Sequence, residues 1–291
     1  MSGLLLEPRV FRILEGLRLS PRKRFAGRVR GERLTKTKGV SIEFADYREY
    51  AEGDDLRHLD WNVLARLGHP VTKTYSDEED LAVHVLIDSS ASMGFGEPSK
   101  WDSACELGAA IGYVALTSGD AVYPRLLGTR QEPMSALRSR SSYPRLAAWA
   151  NAASPEGSTP LDTELRAFAA SGARTGLVVL VTDALHPGVP QALRILAGRG
   201  HEVWLLQVLS DTEIDPDLEG DLRLIDAENT KTAEVTINSF TLNDYQRNLK
   251  AHNQALSDEA LRTGGRYSLV VAGTKLDQVV KNVWRRERWV E

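Results

Sequence analysis

The sequence has little of what several large protein classes depend on. Only one of its 291 residues is a cysteine, so the chain can form neither an internal disulfide nor a zinc site built from thiolates. It contains no run of eighteen apolar residues, and its amino terminus lacks the apolar core and cleavage site of a secretory signal. These absences predict a soluble protein without membrane insertion, in a reducing compartment, and the expected location is the cytoplasm.

Common catalytic motifs are also missing. The sequence has no G-x-S-x-G, no H-E-x-x-H, no Walker loop and no G-x-G-x-x-G after a strand, which argues against common hydrolases, proteases, NTPases and dehydrogenases. Cys105 falls within an apolar helix face and is interpreted as a small buried residue rather than a nucleophile. His84 lies in an apolar strand without a second histidine at ligand spacing, and is interpreted as a core residue.

The charges that are present are unevenly distributed. Residues 1–40 carry eleven Lys or Arg against three Asp or Glu, although the whole chain has a net charge of -4. A basic head on an acidic body indicates an electrostatic partner, which could be another protein, the acidic body itself or a nucleic acid. Nucleic acid is the less favoured alternative, because the head has few aromatic residues on which bases could stack.

The hydrophobic pattern of the sequence changes near residue 80 and separates two regions. Residues 6–19 have the apolar spacing of a short amphipathic helix, and residues 21–80 predict irregular structure with short strands. We therefore assign residues 1–80 to a basic helix and an amino-terminal segment packed on a main domain. The main domain is assigned to residues 81–291.

The main domain alternates buried strands with helices. Near-continuous apolar strands occur at 81–88, 121–127, 176–183, 201–210 and 266–272, with helical patterns between them. This alternation predicts an α/β fold whose mostly parallel, Rossmann-like sheet is covered by helices on both faces. Residues 221–238 alternate on both sides of the turn at 229–231, and predict a β-hairpin insertion.

Oxygen-bearing side chains follow two of these strands. Asp88 closes one strand and Asp183 closes another, and the carboxyl ends of neighbouring parallel strands share one crevice. In an extended loop, Ser90 and Ser92 would face the same side as Asp88, and residues 157–160 could add a further hydroxyl. Hard oxygen donors suit Mg²⁺ or Mn²⁺ better than zinc or copper. Asp and Ser after a strand are also common turn and cap residues, which is the alternative interpretation.

The same positions resemble a known site. Asp88-x-Ser90-x-Ser92, then Thr159 and then Asp183 after an apolar strand, are similar to the metal-ion-dependent adhesion site of von Willebrand factor A domains. The resemblance implies a von Willebrand A-like fold. It also implies that Asp88, Ser90, Ser92 and Thr159 act on the ion directly or through water, and that Asp183 acts through water. The site can be empty when no partner is bound.

A second resemblance precedes the first strand of the main domain. The segments GVSIEFADYREY (39–50) and GDDLRHLDW (53–61), followed by Ala65-Arg66, are similar to the signature of the bacterial domain-of-unknown-function family fifty-eight. That family joins this signature to a von Willebrand A-like module, and its members are typically encoded beside MoxR-type AAA+ ATPases. The signature residues that could form an ion-pair network or face a partner are Arg48, Asp54, Asp55, Arg57, Asp60, Trp61 and Arg66.

Two functions of different class follow. The first is a non-enzymatic adaptor whose metal ion captures an acidic protein client, working with a MoxR-type AAA+ ATPase in protein maturation or remodelling. The alternative is a metal-dependent hydrolase or phosphotransferase using the same Asp and Ser residues. The enzyme is disfavoured, because Ser90 stands where an aspartyl phosphotransferase would need a second acid, and no histidine is placed as a base.

Overall fold

The computed structural model describes residues 5–23, 25, 43–51, 59–76, 80–129, 133–157, 160–229 and 231–291, without the side chains of 43–48 and 73–76. The chain divides into two compact units. The sheet unit comprises Met1–Lys23 with Ala82–Glu291, and the signature unit comprises Arg24–Leu81. The basic amino-terminal helix, which the sequence grouped with the signature segment, is therefore part of the sheet unit.

The elements are numbered along the chain. The strands are β1 (Glu43–Glu49), β2 (Val71–Ser76), β3 (Ala82–Asp88), β4 (Ala121–Leu127), β5 (Leu177–Thr182), β6 (Glu202–Leu209), β7 (Gly220–Ile225), β8 (Thr232–Ile237) and β9 (Arg266–Val271). The helices are α1 (Pro8–Leu14), α2 (Trp61–Leu67), α3 (Lys100–Ser118), α4 (Tyr143–Asn151), α5 (Leu161–Ala170), α6 (Val189–Gly198), α7 (Asp211–Ile214), α8 (Ser239–Arg262) and α9 (Leu276–Val279). A π-helical turn, Val280–Arg285, continues α9.

The signature unit contains the short strands that the sequence predicts and one helix that it does not. β1 and β2 pair antiparallel. Helix α2 begins after Asp60, whose side chain accepts hydrogen bonds from the backbone N–H groups of Asn62 and Val63, and it ends at Gly68 with φ 68°. The prediction of irregular structure with short strands over residues 21–80 is therefore wrong at residues 61–67, which form α2. No residue of α2 is fully buried, so the sequence shows no apolar periodicity that would predict this helix.

The sheet unit is built on five parallel strands in the order β4-β3-β5-β6-β9. Every residue of β3, β5 and β6 is buried, as expected for strands covered on both faces. After β4 the chain crosses to the other side of β3, so the strand order reverses between β3 and β5. The predicted parallel α/β sheet is confirmed, and its switch point lies where Asp88 ends β3.

Helices pack on both faces of this sheet. One core cluster joins Leu86, Leu180 and Leu205 of the strands to apolar residues of α5, α6 and α8. Helix α3 packs on the other face at very short range. A Cβ atom at Gly108 would lie 2.7 Å from Cδ1 of Ile87, so this glycine permits the close approach of helix and strand.

The predicted hairpin is confirmed as the antiparallel pair of β7 and β8, inserted between α7 and α8. It forms a two-stranded sheet of its own within the described residues. None of the helices in the described part of the chain is long and apolar enough to cross a membrane.

Candidate metal and partner-binding site

Asp88 and Asp183 lie at the carboxyl end of the central sheet, as predicted. Asp88 is the last residue of β3 and Asp183 directly follows β5, the strand paired with it. Both residues are buried, with 5% and 6% of their surface exposed. The two carboxylates therefore share one crevice at the switch point of the sheet.

Neutral groups hold the Asp88 carboxylate in place. The backbone N–H of Ser90 donates to its Oδ1 at 2.9 Å, and the Thr182 hydroxyl donates to its Oδ2 at 2.6 Å. Burial, followed by the negative charge of Asp183, raises the pKa of Asp88 above its ordinary value, although these hydrogen bonds act in the opposite direction. The ionised form of Asp88 is thus unfavourable where it stands.

The two serine hydroxyls connect this region to the second carboxylate. Ser90 Oγ lies 3.0 Å from Ser92 Oγ, and Ser92 Oγ donates to Oδ2 of Asp183 at 2.9 Å. The chain at Gly157 lies beside this loop, because its carbonyl accepts from the Ala91 N–H at 3.0 Å. Thr159, two residues further on, lies outside the described residues. Four of the five predicted metal-site residues are therefore brought together.

A buried lysine that the sequence did not single out completes the crevice. Lys100 Nζ donates to Oδ2 of Asp183 at 2.8 Å and to Oε1 of Glu213 at 2.6 Å, and its side chain has no exposed surface. Burial acts to lower the Lys100 pKa, but the Asp183 and Glu213 carboxylates outweigh it and the pKa is raised. Lys100 therefore stays an ammonium ion and balances part of the negative charge.

Further contacts fix the backbone after β5. Gln207 donates from Nε2 to the Asp183 carbonyl at 2.9 Å, and the His252 Nε2 lies 2.8 Å from the Ala184 carbonyl. Ala184 has φ 53°, a left-handed conformation uncommon for a residue with a side chain. Three elements, β6, α8 and the loop itself, thus determine where Asp183 points.

Some of the missed residues had a signal in the sequence and others did not. Glu213 belongs to a Ser210-x-x-Glu213 capping box after β6, a pattern readable before the fold is known. Thr182 directly precedes Asp183 at the end of the predicted strand 176–183. Nothing in the spacing marks Lys100, because a long side chain reaches carboxylates that are distant in sequence.

The donor set suits a hard divalent cation. No cluster of three or more His, Cys, Asp or Glu side chains able to hold a metal exists in the described ranges. The predicted set has only two carboxylates, and its other ligands are hydroxyl oxygens. Mg²⁺ is commonly coordinated by a few such oxygens together with water molecules. The Asp88 carboxylate accepts hydrogen bonds from Ser90 and Thr182, all of them neutral donors that a cation at this carboxylate would not have to displace as charges. Oδ2 of Asp183 is already contacted by Lys100 and Ser92, which fits a water-mediated role for this residue.

The signature residues are only partly described. Asp60 is buried and caps α2, whereas Trp61 is 61% exposed and Arg66 is exposed too. Helix α2 thus places the Trp61 indole in solvent and not in a core. Asp54, Asp55 and Arg57 lie outside the described residues, and of Arg48 only the backbone is described, in β1.

The two residues interpreted as core residues are buried. Burial raises the pKa of the Cys105 thiol to about 12, so it is a neutral thiol at ordinary pH. His84 Nε2 lies 2.7 Å from the Arg174 carbonyl, and its ring stacks on Tyr123. Both interpretations are confirmed.

Comparison with known sequences finds relatives over most of the chain. Residues 46–255 match the sequence profile of the family described as "Protein of unknown function DUF58". An uncharacterized protein of Mycobacterium tuberculosis is 29% identical over 267 residues, which cover 87% of this chain and 81% of that protein. An uncharacterized protein of Mycobacterium bovis matches with the same identity and coverage.

Solved structures similar to the chain have low sequence identity. BatB from Bacteroides thetaiotaomicron has a TM-score of 0.46 at 14% identity, and the match covers 72% of this chain and 98% of that one. An aerotolerance-related membrane protein from Bacteroides fragilis has a TM-score of 0.42 at 17% identity, covering 71% and 99%. The predicted cytoplasmic location is not supported: one of these solved structures is described as that of a membrane protein.

Proposed function

Because the chain belongs to the DUF58 family, whose function is unknown, we propose a function from the geometry of its site: a non-enzymatic protein-binding module that depends on a divalent cation. The ion is Mg²⁺ or Mn²⁺. Asp88, Ser90 and Ser92 hold it, Asp183 acts through water, and Thr159 is the fifth member of the set. A bound ion would supply an open coordination position for a carboxylate oxygen of an acidic client.

The observation that carries this proposal is the balance of charge in the crevice. Asp88, Asp183 and Glu213 contribute three carboxylates, and among the described residues Lys100 is the one cation paired with them. Asp88 itself accepts only from neutral donors there and is repelled by Asp183. When all four groups are ionised, the excess is two negative charges, which one divalent cation would balance.

The partner is proposed from the family resemblance. A von Willebrand A-like module with this signature is typically encoded beside a MoxR-type AAA+ ATPase, so we propose that the chain presents a client to such an ATPase. The ATPase supplies the energy for maturation or remodelling, since the chain has no Walker loop. The exposed Trp61 on α2 is available as part of that contact.

The test is a calorimetric Mg²⁺ titration of the wild type, Asp88→Asn and Ser89→Ala. Asp88→Asn keeps the shape of the side chain but removes its charge, and should abolish ion binding. Ser89→Ala is the matched control, because the Ser89 hydroxyl donates to the Leu127 carbonyl and not into the crevice. Equal Mg²⁺ binding by the wild type and Asp88→Asn would contradict the proposed site.

The partner is tested separately by titrating a MoxR-type ATPase into the same three proteins. Binding that requires Mg²⁺ and is lost in Asp88→Asn supports the adaptor. Ion binding without any association with the ATPase would leave the metal site and overturn the proposed partner.

A further inference from the structure

The exposed apolar side chains of the sheet unit are concentrated at one end. Eight large hydrophobic residues of the described part of this unit are exposed. One of them, Leu261, lies apart from the others in the last turn of α8. The other seven lie on the segments that follow β3, β5 and β6 or in the first turns of α8: Phe95, Leu185, Leu218, Leu224, Ile225, Phe240 and Tyr245. Exposed apolar side chains gathered in one area indicate an interaction surface.

The hairpin provides the largest part of this surface. In its register, Leu222 faces Val235 and Leu224 faces Ala233, so these four apolar residues share one side of the ribbon. Near its base Ile237 is buried, but towards the turn Leu224, on this side, is 44% exposed, and Ile225, on the opposite side of the ribbon, is 65% exposed. A two-stranded ribbon is only marginally stable by itself, so a partner that covers its exposed apolar end would stabilise it.

The same segment is strongly acidic. Residues 211–234 contain nine Asp or Glu and two Lys or Arg, a larger excess of negative charge than in the chain as a whole. Asp217 and Glu219, which precede β7, are exposed beside Leu218. We call the area formed by Asp217–Ile225 and Phe240 the hairpin surface.

We propose that the hairpin surface docks a segment of a partner protein that is rich in Lys and Arg and also carries apolar side chains. Negative charge around exposed leucine and isoleucine matches a basic amphipathic segment in both respects. A second copy of this chain fits poorly, because it would bring the same excess of negative charge against itself. The contact goes beyond the proposed function, since it uses none of the proposed metal ligands.

The test measures binding of three labelled peptides by fluorescence anisotropy, with chelator present. One peptide is a Lys/Leu amphipathic sequence, the second has the same lysines with serine in place of leucine, and the third has glutamate in place of lysine. We expect the Lys/Leu peptide to bind roughly tenfold more tightly than the Lys/Ser peptide, because it covers the apolar side chains. The Glu/Leu peptide should not bind.

Two double variants separate the apolar and the electrostatic contributions. Leu224→Ser with Ile225→Thr should reduce Lys/Leu binding to the level of Lys/Ser. Asp217→Asn with Glu219→Gln should weaken both lysine peptides, whereas Asp258→Asn with Glu291→Gln, two exposed acids outside the surface, should change neither. Unchanged circular dichroism and Tm in each variant exclude unfolding as the cause.

Three results would overturn the proposal. They are equal affinity for the Lys/Leu and Lys/Ser peptides, equal loss in the two acidic double variants, and a wild-type dimer in sedimentation that Leu224→Ser with Ile225→Thr dissociates. The first two mean unspecific attraction, and the third means that a second copy is the occupant. Asp88→Asn should bind the peptides like the wild type, so failure of the metal site and failure of this surface are distinguishable.

Discussion

The two ends of the central sheet both bury charged side chains, but they balance those charges differently. At the amino end, the Glu202 carboxylate accepts from the Trp204 indole N–H at 2.7 Å and from the Lys23 backbone N–H at 2.7 Å. The Lys23 ammonium donates to the His201 carbonyl. At the carboxyl end, Asp88 faces a second carboxylate instead. The amino end thus ties the amino-terminal segment to the sheet, whereas the carboxyl end, in the part of the chain that the structure describes, holds three carboxylates against the single ammonium of Lys100.

The largest expected effect comes from removing Lys100, the one cation that the described residues bring to the carboxyl-end crevice. Lys100→Met leaves Asp183 and Glu213 without their buried partner, and should lower the free energy of unfolding by about 3–5 kcal/mol. Urea denaturation measures it, with Lys281→Met as an exposed control. Added Mg²⁺ should restore part of the loss. A loss as small as the control's would show that Lys100 does not balance these carboxylates.

Replacing the Glu202 carboxylate at the amino end by an amide should lower the free energy of unfolding by up to about 3 kcal/mol. Glu202→Gln replaces one accepting oxygen by an N–H₂ group that meets a buried N–H donor from Trp204 or Lys23. Urea denaturation with and without Mg²⁺ should give the same loss, because this end has no part in the ion site. A Mg²⁺-dependent loss would break the distinction between the two ends.

The amino end should also respond to acid through His84. Burial is the main reason that the pKa of His84 is lowered to about 4, so the folded protein disfavours the imidazolium. The contribution of neutral His84 to the free energy of unfolding is fully present above the pKa that His84 has in the unfolded state. It is lost as the pH falls towards the lower pKa that His84 has in the folded state. At about pH 5 the loss is about 2 kcal/mol.

This loss is measured as the difference in unfolding free energy between about pH 7 and about pH 5. His84→Phe keeps a ring beside Tyr123 and Phe168 but does not titrate, so its stability should fall less over that range. The same fall in wild type and variant would assign the acid sensitivity to other groups.

The smallest effect, and one of opposite sign to Glu202→Gln, is expected for Asp88→Asn without divalent ions. The pKa of Asp88 is raised by folding, so its ionised form destabilises the protein increasingly as the pH rises through the folded value. The variant should therefore have a higher Tm than wild type, more so at about pH 8 than at about pH 5. Mg²⁺ should raise the Tm of the wild type only.

Thermal melts in chelator and in Mg²⁺ check both parts of this prediction, with Ser89→Ala as the neighbouring control. A lower Tm for Asp88→Asn at the higher pH would mean that its charge stabilises the metal-free fold, and the contrast between the two ends would disappear.

The parts of the fold that depend on continuous patterns could be predicted from the sequence. Buried strands, the parallel sheet, the hairpin and the meeting of Asp88 with Asp183 all follow from apolar runs and from the rule for strand ends. Helix α2 was missed although Asp60 and Gly68 mark its ends, because its exposed residues give no periodicity. Lys100 was missed because the length of a side chain, and not a spacing, brings it to Asp183.

The contact at Gly108 has a consequence for how the charged crevice tolerates change. Helix α3 carries Lys100 in its first turn and lies against β3 at the distance that a hydrogen atom at Gly108 allows. Any larger side chain there must displace Ile87, the residue before Asp88, or lift the helix that holds the ammonium. A methyl group at Gly108 would therefore disturb the packing that sets Asp88 and Lys100 beside one another, so the arrangement of charges in the crevice depends on a glycine that lies outside it.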